Sequence, residues 1–272
     1  MLKLYWADDD CQPPADRGLA YGDGLFETIR VNGDSAPLLV YHLDRLVRDA
    51  GRLGISLSRP KLESAVAGAM QRYGAIHGGS HWVLKLVVTR GSGGRGYRPA
   101  ADVSPHLYLF HSVLPPLPPE TGVMVDFSRV PLTVNPLLSG IKSLNRLEQV
   151  MAAREMKDPT FELLMTNAAG HVVEGTRTNL FLHGPDGWRT PPAASLAVSG
   201  VMRRKVIECL HAAGEPFREC ELQVEDLLGR ECQGLYLTNS VLGVVPVRNL
   251  AGLDLPVGNR LATICDPHKR PD

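Results

Sequence analysis

The feature that most constrains this 272-residue chain is the segment VLPPLPPETG at residues 113–122, which places four prolines in ten positions. Proline fixes its own φ and drives the preceding residue towards an extended conformation, so the segment predicts a stiff linker. A chain of this length has room for two modest domains. We therefore divide it into a smaller N-terminal domain (1–114), a linker (115–121) and a larger C-terminal domain (122–272).

Composition argues against several classes of partner. Lys plus Arg and Asp plus Glu balance at 29 each, which favours neither nucleic acid nor an anionic membrane as the main partner. No stretch approaches the roughly 20 apolar residues of a membrane helix, and MLKLYWADDD lacks a signal-peptide core. The five cysteines are scattered without CxxC spacing, and no histidine pair has convincing metal spacing. These patterns predict a cytoplasmic protein without a metal site.

Hydrophobic periodicity predicts a chain that mixes helices and strands. In the first part, strands are predicted at 25–31, 37–40, 81–91 and 106–114, and helices at 41–55 and 60–75. In the second part, strand segments are predicted within 121–132, 161–183 and 234–250, and helices at 143–156, 199–214 and 222–229. The predicted fold class is α/β of the mixed α+β kind, with two domains built around mixed sheets.

One lysine has a setting that allows two interpretations. Lys142 lies in SGIKSLNRLEQVM, with apolar and glycine residues before it and Arg146 after it. Desolvation or a neighbouring cation lowers the pKa of a lysine and frees its amine for Schiff-base chemistry. A lysine at the start of a helix can equally extend its amine to solvent.

Two further segments carry candidate chemistry. Glu174, in VVEGTRTNLFL, is either a loop residue in solvent or the partner of a buried cation such as a protonated ring nitrogen. The run TRGSGGRGY lacks P-loop spacing, but its arginines on flexible backbone suit carboxylates. An exposed hairpin loop is the alternative for this run. Arg90 and Arg98 are undecided between substrate contact and surface.

Together these segments resemble the class IV aminotransferases, the fold-type IV enzymes that use pyridoxal 5'-phosphate. The resemblance covers nearly the whole chain and follows, in order, the strings DRGLAYGDGLFETIRV, HLDRL, VVTRGSGGRGY, NPLLSGIKSLNRLEQVMAAREM, EGTRTNLFL, SGVMRRKV and YLTNSVLGVVPV. It implies a small N-terminal α/β domain, a larger C-terminal domain with mixed sheets, bound pyridoxal 5'-phosphate and a homodimer.

The resemblance also implies the residues that bind the cofactor. Lys142 matches the Schiff-base lysine and general base, Glu174 the acid paired with the pyridine nitrogen, and Arg45 the arginine that holds the phosphate. The other implied cofactor contacts are the backbone amides of Val201 and Met202 at a helix N-terminus, the Ser240 hydroxyl, the polar residues Asn179 and Asn239, and the apolar Val198.

On the substrate side, Arg95 and Tyr97 match positions that bind a substrate carboxylate in relatives handling D-amino acids. Tyr21 and Phe26 are implied to shape the pocket. Thr28, in FETIRV, is implied to be a catalytic residue that orients the leaving group.

Three features, Thr28, Asn239 and GSGGRGY, are similar to the lyase branch of the family. This branch acts on 4-amino-4-deoxychorismate and releases 4-aminobenzoate and pyruvate for folate synthesis. Transamination of D-amino acids or branched-chain amino acids with the same lysine is the alternative activity. A non-catalytic scaffold is a third reading, which the intact set of Lys142, Glu174 and Arg45 argues against.

Overall fold

The computed structural model describes residues 2–6 and 15–268, so Cys11 and part of MLKLYWADDD lie outside the described residues. The chain divides into two compact units. The first unit comprises Met1–Pro115 together with Lys142–Asn145, and the second comprises Pro116–Ile141 and Arg146–Asp272. Residues 142–145, which the sequence analysis includes in the C-terminal domain, therefore group with the first unit.

The first unit, where described, is a sheet of four strands with three helices. The strands are β1 (Lys3–Trp6), β2 (Gly24–Asn32), β3 (His81–Thr89) and β4 (His106–Val113), and the helices are α1 (Arg17–Tyr21), α2 (Leu39–Arg52) and α3 (Arg59–His77). The strand order is β1-β4-β3-β2. β1 is parallel to β4, and the other two pairings are antiparallel.

Strand β2 separates its side chains onto two faces of this sheet. Leu25, Glu27 and Ile29 are buried, and Glu27 bonds to side chains of α2, so this face lies against that helix. Because successive side chains in a strand alternate, Phe26 and Thr28 lie on the opposite face. The alternation thus places two of the predicted substrate residues side by side.

The second unit, within its described part, is a mixed sheet of nine strands with four α-helices. The strands are β5 (Val123–Phe127), β6 (Glu162–Thr166), β7 (Val172–Gly175), β8 (Asn179–Gly184), β9 (Gly187–Thr190), β10 (Phe217–Glu219), β11 (Gly234–Asn239), β12 (Gly243–Leu250) and β13 (Leu253–Asp254). The helices are α4 (Leu147–Ala153), α5 (Val201–Ala212), α6 (Val224–Leu228) and α7 (Arg260–Ile264), and a single 3₁₀ turn covers Ala193–Ser195.

The nine-stranded sheet combines both strand directions. Its described strands follow the order β10-β9-β8-β11-β12-β5-β6-β7, with β13 paired to β12. β5 runs parallel to both β12 and β6, whereas β8, β11 and β12 pair antiparallel. Adjacent β6 residues Leu164 and Met165 belong to two different apolar clusters, so the sheet is covered on both faces. The prediction of mixed sheets is confirmed.

Two predicted elements are wrong, and both errors have a physical cause. The strand predicted at 37–40 is a turn followed by the start of α2 at Leu39. The helix that buries Leu43 and Leu46 begins at Leu39, two residues before the predicted start at residue 41. The helix predicted at 143–156 is limited to Leu147–Ala153. Its first residues instead pair with β2 through a Leu25–Ser143 bridge, because tertiary pairing overrides local preference.

A buried carboxylate organises the turn between β7 and β8. Glu162 is fully buried, and its Oε1 accepts hydrogen bonds from the Thr176 amide (3.1 Å) and hydroxyl (2.5 Å). Its Oε2 accepts from the Thr178 hydroxyl (3.0 Å) and the Arg177 amide (3.3 Å). The turn 175–178 joins Glu174 to Asn179, so Glu162 fixes the backbone between two predicted cofactor residues.

We predict that Glu162→Gln lowers the free energy of unfolding by about 3 kcal/mol, because an amide NH2 would face buried donors in place of an acceptor. Urea unfolding measures this change. Glu63→Gln is the matched control, since Glu63 forms a surface ion pair with Arg59, and it should change stability by less than about 0.5 kcal/mol. Equal unfolding midpoints for Glu162→Gln and wild type would contradict the role of Glu162.

Candidate functional site

The backbone of Lys142 is held against β2 in the first unit. The Phe26 amide donates to the Lys142 carbonyl (3.1 Å), and the Leu144 amide donates to the Gly24 carbonyl (3.0 Å). The Lys142 amine lies 4.2 Å from the centroid of the Phe26 ring. Lys142 as a whole residue is half-buried. A strand pairing and an aromatic contact, not a helix start, determine where this lysine lies.

Lys85 lies beside two predicted site residues, and the sequence analysis did not single it out. In the β2–β3 register, Lys85 pairs with Thr28, and its amine lies 5.5 Å from the Phe26 ring centroid. Paired positions of neighbouring strands bring their side chains within about 5.5 Å on one face of the sheet. Phe26 therefore has two ammonium groups near its ring, one from Lys85 and one from Lys142. Only the strand register reveals this neighbourhood.

Arg45 is held in position by a buried ion pair. Its Nε donates to Glu27 Oε1 (2.8 Å) and its Nη2 donates to Glu27 Oε2 (2.5 Å). His42 Nδ1 lies 2.6 Å from the same Oε2. All three side chains are buried, with Glu27 at 1% exposure. Glu27 was not predicted as a site residue, although a carboxylate inside the strand LFETIRV was the available signal.

The charge states of this cluster follow from burial and proximity. Burial works to raise the pKa of Glu27, but Arg45 and His42 outweigh it and lower the pKa to about 2. Burial lowers the pKa of His42, and the charges of Arg45 and Lys142 add to that effect against the opposing pull of Glu27. At neutral pH the cluster thus holds a carboxylate, a guanidinium and a neutral imidazole that donates to Glu27.

The glycine-rich run divides into engaged and exposed arginines. Arg90 donates to Asp23 Oδ2 (2.8 Å) and to the carbonyls of Leu53 (2.8 Å) and Gly54 (2.9 Å), so its guanidinium is committed to the fold. Arg95 and Arg98 are exposed. This arrangement resolves the undecided role of Arg90 in favour of structure.

The predicted substrate residues Tyr21 and Tyr97 lie together in the first unit. Their ring centroids are 5.6 Å apart in an edge-to-face arrangement. Tyr97 is 88% exposed and Tyr21 40% exposed, so both rings present an accessible aromatic surface. Tyr97 follows Arg95 closely in the chain. Their contact with a substrate carboxylate stays a prediction.

Three predicted cofactor residues meet in the second unit. Glu174 Oε2 accepts a hydrogen bond from the Val198 amide (3.1 Å), and the Asn179 side-chain amide donates to the Val198 carbonyl (3.0 Å). The backbone amide and the carbonyl of Val198 are therefore both hydrogen-bonded to side chains. Glu174 is buried, at 3% exposure, and belongs to β7, while Asn179 begins β8. The turn built on Glu162 connects these two strands.

The N-terminus of α5 forms a cradle of backbone amides. Gly200 precedes Val201 and provides no side-chain cap. A Cβ added at Gly200 would lie 2.1 Å from Asn179 Oδ1, so only glycine allows this close approach. The side chains of Val201 and Met202 are buried. Uncapped amides and the helix dipole at such a terminus suit an anion such as a phosphate group.

Asn239 is the last residue of β11, and Ser240 begins the turn that leads to β12. Asn239 Oδ1 accepts from the amides of Val241 (3.0 Å) and Leu242 (2.8 Å). The Ser240 carbonyl lies 3.1 Å from His268 Nε2. The Asn239 side chain therefore shapes the turn that presents Ser240, and a direct cofactor contact of either residue stays a prediction.

Other classes of site have little support in the described residues. No group of three or more His, Cys, Asp or Glu side chains there could hold a metal ion. Cys209, Cys220, Cys232 and Cys265 are free thiols. Within 2–6 and 15–268, no helix is long and apolar enough to cross a membrane.

Comparison with known proteins identifies the family. The profile of the family described as amino-transferase class IV matches residues 24–250. This chain belongs to the class IV amino-transferase family. The match extends over most of both units, and it confirms the family predicted from the motifs.

Individual relatives within the family include lyases and transaminases. The aminodeoxychorismate lyase of Vibrio harveyi is 32% identical, over 94% of this chain and 96% of the relative. The crystal structure of 4-amino-4-deoxychorismate lyase from Pseudomonas aeruginosa matches with a TM-score of 0.86 and 37% identity, over 94% of this chain and 93% of that one. A putative branched-chain-amino-acid aminotransferase of Methanocaldococcus jannaschii is 31% identical, over 87% and 82%. These matches confirm the fold-type IV class.

The Glu27 cluster generates a pH prediction. The pKa of Glu27 is about 2 in the folded state against an ordinary value of 4.5. Because the folded pKa is depressed, the carboxylate stabilises the fold fully above about pH 4.5 and loses that contribution as pH falls towards 2. The loss amounts to about 3 kcal/mol. Unfolding of wild type across this pH window should show it.

Glu27→Gln should lack this part of the pH dependence and be less stable at neutral pH by about 3–5 kcal/mol, since Arg45 loses a buried counter-ion. Glu120→Gln, at an exposed position, is the control and should follow the wild-type curve. A Glu27→Gln curve parallel to wild type between pH 2 and 4.5 would contradict the assigned charge state.

Proposed function

We propose that this protein is a pyridoxal 5'-phosphate-dependent lyase that converts 4-amino-4-deoxychorismate to 4-aminobenzoate and pyruvate. The observation that carries the proposal is its similarity, over more than nine-tenths of the chain, to two relatives named for this lyase activity. The residues of the candidate site supply the groups that such a reaction requires.

The residues present fit pyridoxal 5'-phosphate. Lys142 supplies the amine to which the cofactor aldehyde attaches, and Glu174 supplies a buried carboxylate for the pyridine nitrogen. For the phosphate, the second unit offers the uncapped amides at the start of α5 and the hydroxyl of Ser240, and the first unit offers the guanidinium of Arg45. Asn179 and Val198 complete the cofactor residues. When bound, the cofactor supplies an electron sink for the substrate carbon that bears nitrogen.

Each residue has a defined task in the proposed reaction. Lys142 is the general base that removes the proton from the carbon bearing the substrate nitrogen. Glu174, fixed by the Val198 amide, would provide the negative charge that keeps the pyridine nitrogen of the cofactor cationic. Thr28 orients the enolpyruvyl leaving group. The enolpyruvyl group leaves with the electron pair of its carbon–oxygen bond and takes up a proton to become pyruvate. Its loss makes the substrate ring aromatic, so the protein contributes mainly orientation and electrostatics.

The substrate carries two carboxylates, and the first unit offers cations for both. Arg95 extends from the exposed glycine-rich run, where its planar fork can bind a carboxylate through two parallel hydrogen bonds. Lys85 lies opposite Thr28 and beside Phe26, on the same face of the sheet. We assign one carboxylate to each cation. Tyr21 and Tyr97 supply aromatic surface for the substrate ring.

A homodimer in the cytoplasm, acting in folate synthesis, is part of the proposal. Apolar side chains that are exposed in this chain support a subunit interface on the second unit. They are Leu137 (82% exposed), Leu147 (79%), Val150 (52%) and Met151 (50%). Burial of these side chains between two copies would remove apolar surface from water.

The test is the product formed from 4-amino-4-deoxychorismate by the purified, cofactor-loaded protein without a keto-acid acceptor. We expect 4-aminobenzoate, detected by fluorescence, and an equal amount of pyruvate. Lys142→Ala should lower turnover by roughly a thousandfold or more, because it removes the base. Borohydride reduction and mass spectrometry should attach the cofactor to the Lys142 peptide of wild type. If amino transfer requires a keto-acid acceptor and no aromatic product forms, the result would favour a transaminase, which is the activity in the name of the M. jannaschii relative.

We predict that Gly200→Ala raises the dissociation constant for pyridoxal 5'-phosphate by roughly tenfold, or about 1.4 kcal/mol. The new Cβ would lie 2.1 Å from Asn179 Oδ1, so the cradle at the start of α5 has to open. Absorbance titration of the apo protein measures the constant. Gly74→Ala is the control, because a Cβ there meets no atom within 4 Å. Equal constants for Gly200→Ala and wild type would remove the α5 amides from the phosphate site.

A further inference from the structure

One residue of the first unit binds both ends of the glycine-rich run. The backbone amide of Arg17 donates to the Gly91 carbonyl (2.9 Å). Its side chain donates from Nη1 to the Gly96 carbonyl (3.1 Å) and from Nη2 to the Tyr97 carbonyl (2.8 Å). Arg17 is 4% exposed, so the donor side of these bonds is buried, whereas Gly96 and Tyr97 are exposed. The run between these carbonyls carries Arg95.

Asp23 orients this arginine and a second one. Asp23 Oδ2 accepts from Arg17 Nε (2.9 Å) and from Arg90 Nε (2.8 Å). Each arginine then uses its two terminal nitrogens for backbone carbonyls, Arg17 on the glycine-rich run and Arg90 on Leu53 and Gly54. We call Arg17 and Asp23 the Arg17 clasp, and Arg90 shares its Asp23. The bidentate geometry of a guanidinium suits this task, and a lysine cannot reproduce it.

The aromatic surface assigned to the substrate is built on the same arginine. The Arg17 guanidinium lies 4.8 Å from the centroid of the Tyr21 ring, and Tyr21 packs edge-to-face on Tyr97. Tyr97 is therefore held twice, through its carbonyl by Arg17 and through its ring by Tyr21. The glycines give this run little stiffness of its own: Gly91, Gly93, Gly94 and Gly96 all have positive φ.

We propose that Arg17 is a positioning residue for substrate binding, which holds the glycine-rich run so that Arg95, Tyr97 and Tyr21 are preorganised before substrate arrives. This inference rests on the proposed function for the identity of the substrate. The proposal makes a claim about KM. A glycine-rich run that must be ordered when substrate binds lowers the affinity for substrate. Lys142 and the cofactor residues are not part of the Arg17 clasp.

The experiment compares Arg17→Met and Arg17→Lys with two control variants. Hydrogen–deuterium exchange of residues 91–98 is measured first on the full-length protein, with and without pyridoxal 5'-phosphate. We expect exchange to accelerate by roughly tenfold in Arg17→Met, and to a smaller extent in Arg17→Lys, which keeps the charge but not the fork. If Arg17→Met does not fold, the exchange rate in Arg17→Lys alone tests the proposal.

The controls separate the clasp from a general loss of charge. Arg90→Met should accelerate exchange around residues 53–54 and leave residues 91–98 close to wild type, because Arg90 holds the end of α2. Arg59→Met removes a surface ion pair with Asp44 and Glu63 and should change neither segment nor the activity. Equal acceleration of residues 91–98 in the Arg17 and Arg59 variants would overturn the proposal.

Steady-state kinetics then connect the run to the substrate. In Arg17→Met we expect KM for 4-amino-4-deoxychorismate to rise by roughly tenfold, with kcat within about threefold of wild type. An unchanged KM with faster exchange would overturn the positioning role, and so would a lower kcat at unchanged KM. If wild type forms no 4-aminobenzoate, the proposed function fails, and the exchange data alone decide whether Arg17 holds the run.

Discussion

The buried ion pair between Glu27 and Arg45 is the interaction on which the first unit depends most. It joins the middle of β2 to α2, and its two charges are acceptable in the interior only because each satisfies the other. The same strand carries Phe26 and Thr28 on its other face and pairs with Lys142 along its edge. The carboxylate that fixes Arg45 therefore also fixes the strand against which Lys142 is placed.

Several charged side chains in this protein act on backbone groups and not on ligands. Glu162 accepts hydrogen bonds from the turn after Glu174. Arg17 donates to carbonyls of the glycine-rich run, and Arg90 donates to the carbonyls of Leu53 and Gly54. Asn239 acts in the same way on the turn that carries Ser240. A surface turn buries too little apolar surface to have a fixed conformation on its own, so hydrogen bonds from polar side chains stabilise that conformation. The residues expected to contact ligands are thus supported by a second set.

The sequence motifs name candidates for the first set, which stay predictions, and they miss most of the second set. Val198, Glu174 and Asn179 were expected near one another, and the structure brings them together. Glu27 and Lys85 were missed because their roles depend on which helix and which strand face them, and this depends on packing between distant segments. Secondary structure was predicted correctly where periodicity was strong, and it failed at 37–40 and 143–146 where a turn or a tertiary pairing prevailed.

The location of Lys142 shows why the failure at 143–146 matters. If these residues were helical, the lysine would start a helix and its position would follow that helix. The hydrogen bonds to Phe26 and Gly24 instead make the four residues Lys142–Asn145 an extension of the sheet of the first unit. The chain leaves the second unit for this short pairing and returns to it at Arg146. A lysine whose backbone is placed by a strand pairing shares the rigidity of the sheet, which a lysine at a frayed helix terminus would lack. This rigidity suits the role that is proposed for Lys142.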